Sequence, residues 1–385
     1  MTSFLRLPLL FTVLLQLAVH ATPADAERVK TSFKADMDKW TLEVNAAATP
    51  DARTKAWSTR PDPAVYGRRM WNAISPSLDQ EWVLDPLAWF IGLTINLQST
   101  AGGAGPGAPA PDAAVSPVGP AFAKELDAAG TAVTTYHMRS PKLAPVCLAY
   151  ASGSDPRSLV LLEKIESSHA AKTVQGVAAL AIAMRLRSIG DDPELMSKRL
   201  KLLRKAIIES ADVEINGIAM AKLTQDEIYV IRYLTKGRVA PDLVGVDSGS
   251  RPMKLSDHRG KIVVLVFWNS GVADVVRLLE FTKSIRATYP GGKLAVVGVN
   301  NDTLKNLRSI QQTDADLLDF PNFSDPRGEL ANTYRVSSLP VIFVLDGERK
   351  IQYVGAPGSF VNATIAALMD PVKPDGAKVK PRTNP

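Results

Sequence analysis

The chain has 385 residues, 46% hydrophobic and 22% charged, which is an ordinary globular composition with room for two domains. Its 45 basic and 39 acidic residues give a net charge of +6, too mild and too dispersed to indicate nucleic acid or an anionic membrane as partner. Cys147 is the single cysteine, so an intramolecular disulfide is excluded.

In chain order, Met1 to about Ala26 reads as an export signal. Arg6 supplies the positive start and Leu7 to Val19 a short apolar core. Val19-His20-Ala21 offers a cleavage site, with Ala24-Asp25-Ala26 as a second option. An uncleaved anchor is the alternative, but the run is shorter than the ~20 residues of a spanning helix and contains Pro8 and Gln16. No later segment is long and apolar enough to cross a bilayer. The protein is therefore expected to be periplasmic or secreted.

Residues 27–100 form a mainly helical segment that holds Trp40, Trp57, Trp71, Trp82 and Trp89. Glu27 to about Ala48 has Val29, Phe33, Met37, Trp40 and Val44 at helix spacing, and Leu87 to Leu97 reads as either helix or strand. Clustered indoles can form a platform for sugars or peptides, but more often they are core. Residues 101–120, AGGAGPGAPAPDAAVSPVGP, are a Gly/Pro/Ala linker.

Residues 121–236 read as a run of helices: about Ala121 to Met138, Leu143 to Ala151, Pro156 to Ser168, Thr173 to Ile189, Pro193 to Ser210 and Gln225 to Leu234. Asp155-Pro156 and Asp192-Pro193 each pair an N-cap residue with proline at the first helical position. Short turns between helices suggest stacked α-hairpins of the tetratricopeptide kind, without a strict repeat signature. Lys198, Arg199, Lys201, Arg204 and Lys205 read as the solvated face of an amphipathic helix. Cys147, in the apolar string LAPVCLAYA, reads as a small buried hydrophobe rather than a reactive thiol.

Lys261 to Val276 reads KIVVLVFWNSGVADVV. Ile262 to Trp268 is a continuous apolar run, as in a strand buried on both faces. It stops at Asn269-Ser270-Gly271, and Val275, Leu278, Leu279, Phe281 and Ile285 then recur at helix spacing. A helix starting there aims its free N–H groups at the strand's carboxyl end, where α/β proteins usually place chemistry. Around this unit stand Val239-Ala240-Pro241-Asp242-Leu243, a hairpin turning at Gly249, Leu255 to Lys261, a second buried strand over Leu294 to Val299, Asp325-Pro326-Arg327-Gly328-Glu329, and Leu339-Pro340 leading into a strand that turns at Asp346-Gly347. Asp302 is expected to cap a helix, and a last helix covers about Phe360 to Met369. Residues 371–385 are a basic, proline-rich tail.

In this order, the strings of residues 237–370 resemble thioredoxin-fold proteins, most closely the TlpA-like exported thiol-disulfide oxidoreductases of the AhpC-TSA (redoxin) family. That family reads roughly F-W-A-T-W-C-x-x-C. Phe267 and Trp268 match, Asn269 and Ser270 fill the polar turn, and Gly271 replaces the second tryptophan. Val272 and Val275 stand where both cysteines belong. The resemblance also implies a cis bond before Pro340, facing that turn. Thiol-disulfide exchange needs a thiolate activated at a helix N-terminus and a second thiol to resolve the mixed disulfide. Valine supplies neither, and the peroxidatic cysteine of the related peroxiredoxins would fall near Val272.

The expected fold is thus an α/β thioredoxin-like domain preceded by an all-α helical array. No catalytic residue, metal or cofactor is assigned. Ser270 lacks a placed histidine base. His137, His169 and His258 have no ligand spacing. Asp274 suits the helix dipole before any acid–base role. A binding groove is expected from Trp268, Asn269, Ser270, Gly271, Asp274, Leu339 and Pro340. It would hold a peptide or protein partner in the cell envelope without electron transfer. Residual oxidoreductase or antioxidant activity is the alternative.

Overall fold

The Asp-Pro pairs open helices where the sequence places them. In the computed structural model, which describes residues 22–47, 49–98, 120–190, 192–272, 275–289 and 292–370, the Asp155 carboxylate accepts from the Arg157 N–H at 2.9 Å and the Asp192 carboxylate from the Leu195 N–H at 3.0 Å. Most of the export segment, nearly all of the linker and the C-terminal tail lie outside the described residues.

The N-terminal part comprises α1 (Pro23–Ala46), α2 (Pro50–Ser58), α3 (Pro63–Ile74), α4 (Leu84–Thr94), α5 (Ala123–Ala132), α6 (Ala144–Ala149), α7 (Pro156–Ser168), α8 (Lys172–Arg187), α9 (Pro193–Ser210), a hairpin of β1 (Glu214–Ile215) and β2 (Ile218–Ala219), and α10 (Met220–Tyr229). Helix α1 starts earlier than expected, because the Asp25 carboxylate accepts from both the N–H and the hydroxyl of Thr22 and Pro23 follows the cap. The ambiguous segment Leu87 to Leu97 is helical over α4. The single helix expected over Ala121 to Met138 is α5 followed by a π-turn, Val133–His137. The last helix of the array begins at Met220, earlier than Gln225. The hairpin turns on Asn216-Gly217, both with positive φ, a turn signal visible in the sequence but flanked by strands too short to read.

Helix α8 is the centre of this part. Its residues from Val174 to Ala183 are buried on every side, with α7 and α9 packed along it. Trp71, Trp82 and Trp89 pack against the same core. Trp40 and Trp57 do not; they meet each other edge-on with ring centroids 4.9 Å apart.

Arg199 overturns the solvated reading of α9. It is fully buried, with Nε donating to the Ala183 carbonyl at 3.1 Å and Nη2 to Glu227 at 3.0 Å. Lys205 is also drawn in, to Glu166 at 2.6 Å.

After a small hairpin of β3 (Val244–Val246) and β4 (Pro252–Lys254), the chain forms β5 (Ile262–Trp268), α11 (Val275–Thr288), β6 (Leu294–Asn300), α12 (Leu304–Thr313), β7 (Asn322–Ser324), α13 (Glu329–Thr333), β8 (Val341–Leu345), β9 (Ile351–Gly355) and α14 (Ser359–Met369). The sheet order is β7-β6-β5-β8-β9. β5, β6 and β7 are parallel, while β8 runs antiparallel to β5 and β9 to β8. This is the thioredoxin-like arrangement expected. All seven residues of β5 are buried, and the strand's two-residue period divides them between two cores. Val263, Leu265 and Phe267 join Tyr334 and Phe343 on one face. Val264, Val266 and Trp268 join Leu278, Leu307 and Ile365 on the other.

The helical part and the sheet share packing at their junction. Val230 and Leu234 belong to the first of these sheet cores, whereas Ile231, on the same turn, belongs to the helical core. Arg335 also reaches Asp226 at 2.6 Å and lies over the Tyr229 ring at 4.1 Å.

Candidate functional site

The turn that follows β5 is held from the neighbouring strand. The Asp302 carboxylate accepts from the Ser270 N–H at 2.8 Å, the Ser270 hydroxyl at 2.7 Å and the Asn300 amide at 2.8 Å. Asp302 is therefore a clamp on the turn rather than the cap of α12. Thr303 takes the cap, its Oγ1 accepting from the Asn306 N–H at 3.3 Å. Ser270 is buried with its hydroxyl committed to that carboxylate, an arrangement without an imidazole base.

Trp268 is fully buried, and its indole N–H donates to Asn322 Oδ1 at 3.0 Å. Gly298 makes this possible: a Cβ there would lie 1.7 Å from that oxygen. Trp268 thus belongs to the core and does not line the groove expected of it. Asp274 lies outside the described residues, so its place in the groove is not described. Val272 is buried at the end of the turn, and its N–H donates to the Asn269 carbonyl at 3.3 Å. Val275 is the first residue of α11. Both valines therefore stand at the start of the first helix after the central strand, as the resemblance implies. The Leu339–Pro340 bond is cis, and Pro340 leads into β8.

Asn269, Gly271, Val272 and Leu339 share one cavity of about 460 Å³, together with the exposed Ser337 and Ser338. Two further lining residues come from far away in sequence, Trp57 of α2 and Arg60 just beyond it. Arg60 stacks on both Trp40 and Trp57, its guanidinium carbon 5.4 and 5.5 Å from the ring centroids. The end of α1 also approaches; Val44 Cγ1 is 3.9 Å from where a Cβ on Gly271 would be. Sequence reasoning missed this wall, because nothing local in 57–60 points to residues some two hundred positions on. Across Val272 and Pro340 lies a second, apolar cavity of about 270 Å³, bounded by Leu278, Phe281 and Pro357.

The other reactive side chains lie elsewhere. His258 sits in a short turn before β5, at the opposite end of that strand from the groove. His137 and His169 are buried and bound to backbone carbonyls of Leu78 and Ser140. Cys147 is fully buried in the helical core, and burial pushes its thiol up to about 12. A thiol that stays protonated and enclosed should be silent to an aromatic disulfide reagent at pH 8 in the folded protein. One thiol per chain should appear on adding guanidinium, and prompt reaction before unfolding would contradict this placement.

Residues 236–354 match the AhpC/TSA family model. Thiol-disulfide oxidoreductase ResA of Geobacillus thermodenitrificans is 27% identical over 139 residues, 36% of this chain and 78% of that protein. Thioredoxin-like protein YneN of Bacillus subtilis is 30% identical over 121 residues, 31% of this chain and 70% of that protein. A solved thioredoxin domain of a thiol-disulfide oxidoreductase from Bacteroides vulgatus is 20% identical with a TM-score of 0.32, covering 35% of this chain and 99% of its own. Through its C-terminal domain the chain belongs to the AhpC/TSA family, in the TlpA-like group of thioredoxin-fold proteins.

Proposed function

We propose that this is an exported thioredoxin-fold protein that binds a peptide or protein partner in the cell envelope without exchanging electrons with it. The observation that carries the proposal is the pair Val272 and Val275, set at the strand–turn–helix beside the cis Leu339–Pro340 bond while the one cysteine is buried far off in the helical core. The groove remains, and the sulfur chemistry does not. An extended segment laid beside Leu339 would pair through its main chain, and the flanking cavities would select its side chains. The family's usual thiol-disulfide activity would need a thiolate at this turn, and the residual-activity alternative has only Cys147 to draw on.

Export rests on the charge and apolar pattern of the first 21 residues. Cleavage after Ala21 suits the structure better than cleavage after Ala26, because Thr22 and Asp25 form the start of α1 and Ala26 is buried. Among the described residues, no helix is long and apolar enough to cross a membrane.

The test is capture from an envelope extract by the mature protein and by Gly271→Trp, which fills the cavity from a position where the added Cβ meets only the Asn269 side chain closer than 3.9 Å. A partner should be recovered with the first and lost with the second. A partner set identical for both would contradict binding at this groove.

A further inference from the structure

We propose that the groove takes the C-terminal end of a partner polypeptide, with the free carboxylate held by Arg60 and an apolar last side chain in the neighbouring cavity. The proposal rests on the binding reading above and narrows it to one chemistry.

Three features of the groove point to this occupant. The first is charge. Arg60 lines the cavity and is held over two indole rings, with no carboxylate among its contacts in the described residues. Stacking fixes the guanidinium plane while leaving its N–H donors for a carboxylate, which it can meet bidentately. Among the described residues, the carboxylate that holds the turn, Asp302, is already committed to Ser270 and Asn300. Among the described residues, the groove therefore carries a cation without a counter-charge.

The second feature is a pair of unsatisfied polar atoms. Trp57 Nε1 and Asn301 Oδ1 belong to side chains that line this same cavity, and neither atom has a hydrogen-bond partner among the described residues. Both are closed off from water, so each is left unpaired as the groove stands, and a bound group would reach it only as the lining side chains shift. One is a donor and the other an acceptor. The last residue of a peptide brings the complementary set: carboxylate oxygens that accept, and an amide N–H that donates.

The third feature is the apolar cavity on the other side of Val272 and Pro340. Its walls of Leu278, Phe281 and Pro357 suit a hydrocarbon side chain, although Arg277 also lines it. Its volume of about 270 Å³ is of the order of one large residue. An internal peptide segment without an acidic side chain would leave Arg60 without a counter-charge. A small free carboxylate would leave the apolar cavity empty.

The test uses fluorescein-labelled hexapeptide pools with leucine fixed at the last position and the other positions randomised. Each pool is made once with a free C-terminal carboxylate and once as the amide, and binding to the mature protein is read by fluorescence anisotropy. The carboxylate pool should bind at least about tenfold more tightly than the amide, the scale set by losing one charge-assisted contact. Arg60→Gln, at an exposed position, should weaken the carboxylate pool by a similar factor and the amide by clearly less, so that the preference for acid over amide collapses.

Equal binding of acid and amide, with both lost in Gly271→Trp, would overturn the terminal-carboxylate assignment while leaving peptide binding in place. Absence of binding by either pool would count against both. Competition by N-acetylleucine as strong as by the unlabelled pool would assign the site to a small carboxylate instead of a polypeptide end.

Discussion

Replacing Val272 and Val275 together with cysteine, in a Cys147→Ala background, should give a protein that forms an internal disulfide and reduces insulin in the presence of a dithiol. The described residues on either side suit such a pair. Position 272 ends the turn fixed by Asp302, and position 275 opens α11. A thiol just ahead of a helix is stabilised as thiolate by the helix's free N–H groups, which lowers its pKa from an ordinary ~8.5. Burial at position 272 acts in the opposite direction, so the attacking thiol should titrate between the ordinary value and that of an exposed helix-start cysteine. In air or oxidised glutathione, both thiols should disappear from titration with reagent under denaturing conditions. The rate of insulin reduction should rise from background to a clear multiple of it. A double variant that keeps both thiols through oxidation would mean that the turn does not bring positions 272 and 275 together.

Glu227→Ala should strongly destabilise the helical part, by about 3–5 kcal/mol. Glu227 is buried between two guanidiniums, with Arg199 at 3.0 Å and Arg187 at 3.3 Å. Removing the carboxylate takes an ionic partner from the enclosed Arg199 guanidinium, and the Ala183 carbonyl supplies no counter-charge. The exposed pair Lys198–Glu163 is the control, since breaking it should cost less than about 1 kcal/mol. Denaturant midpoints at constant slope would read both effects. A loss in Glu227→Ala no larger than in Lys198→Ala would show that Arg199 reaches water.

Much of the C-terminal domain is legible from sequence because its signals are local and ordered. A continuous β-branched run gives β5, helix-spaced leucines give α11, and Leu339-Pro340 stands before a strand that ends in Asp-Gly. The misplacement of Trp268 has a physical source that the same sequence contains. Strand alternation sends Phe267 to one core and Trp268 to the other, and a residue still inside the strand points at α11 and α12 rather than at the cleft. Arg199 was legible too. It follows Leu195 and precedes Leu203 by four residues each, which puts it on the buried stripe of α9 despite its charge. Asp302 looked like a cap because it precedes a helix, yet Thr303 sits one residue nearer and the carboxylate is free to turn back onto Ser270. The Trp57 and Arg60 wall had no such signal. It exists only because α1 and α2 fold across the chain onto the 269–272 turn, and no periodicity encodes a contact at that separation.

The central claim is that a thioredoxin fold here carries a groove without redox chemistry. Its most direct measurement is the turnover of the unaltered mature protein in insulin reduction and in peroxide consumption, alongside Cys147→Ala. Both proteins should run at the rate of the buffer with dithiol alone. Turnover above that rate that survives loss of the only sulfhydryl would contradict the claim.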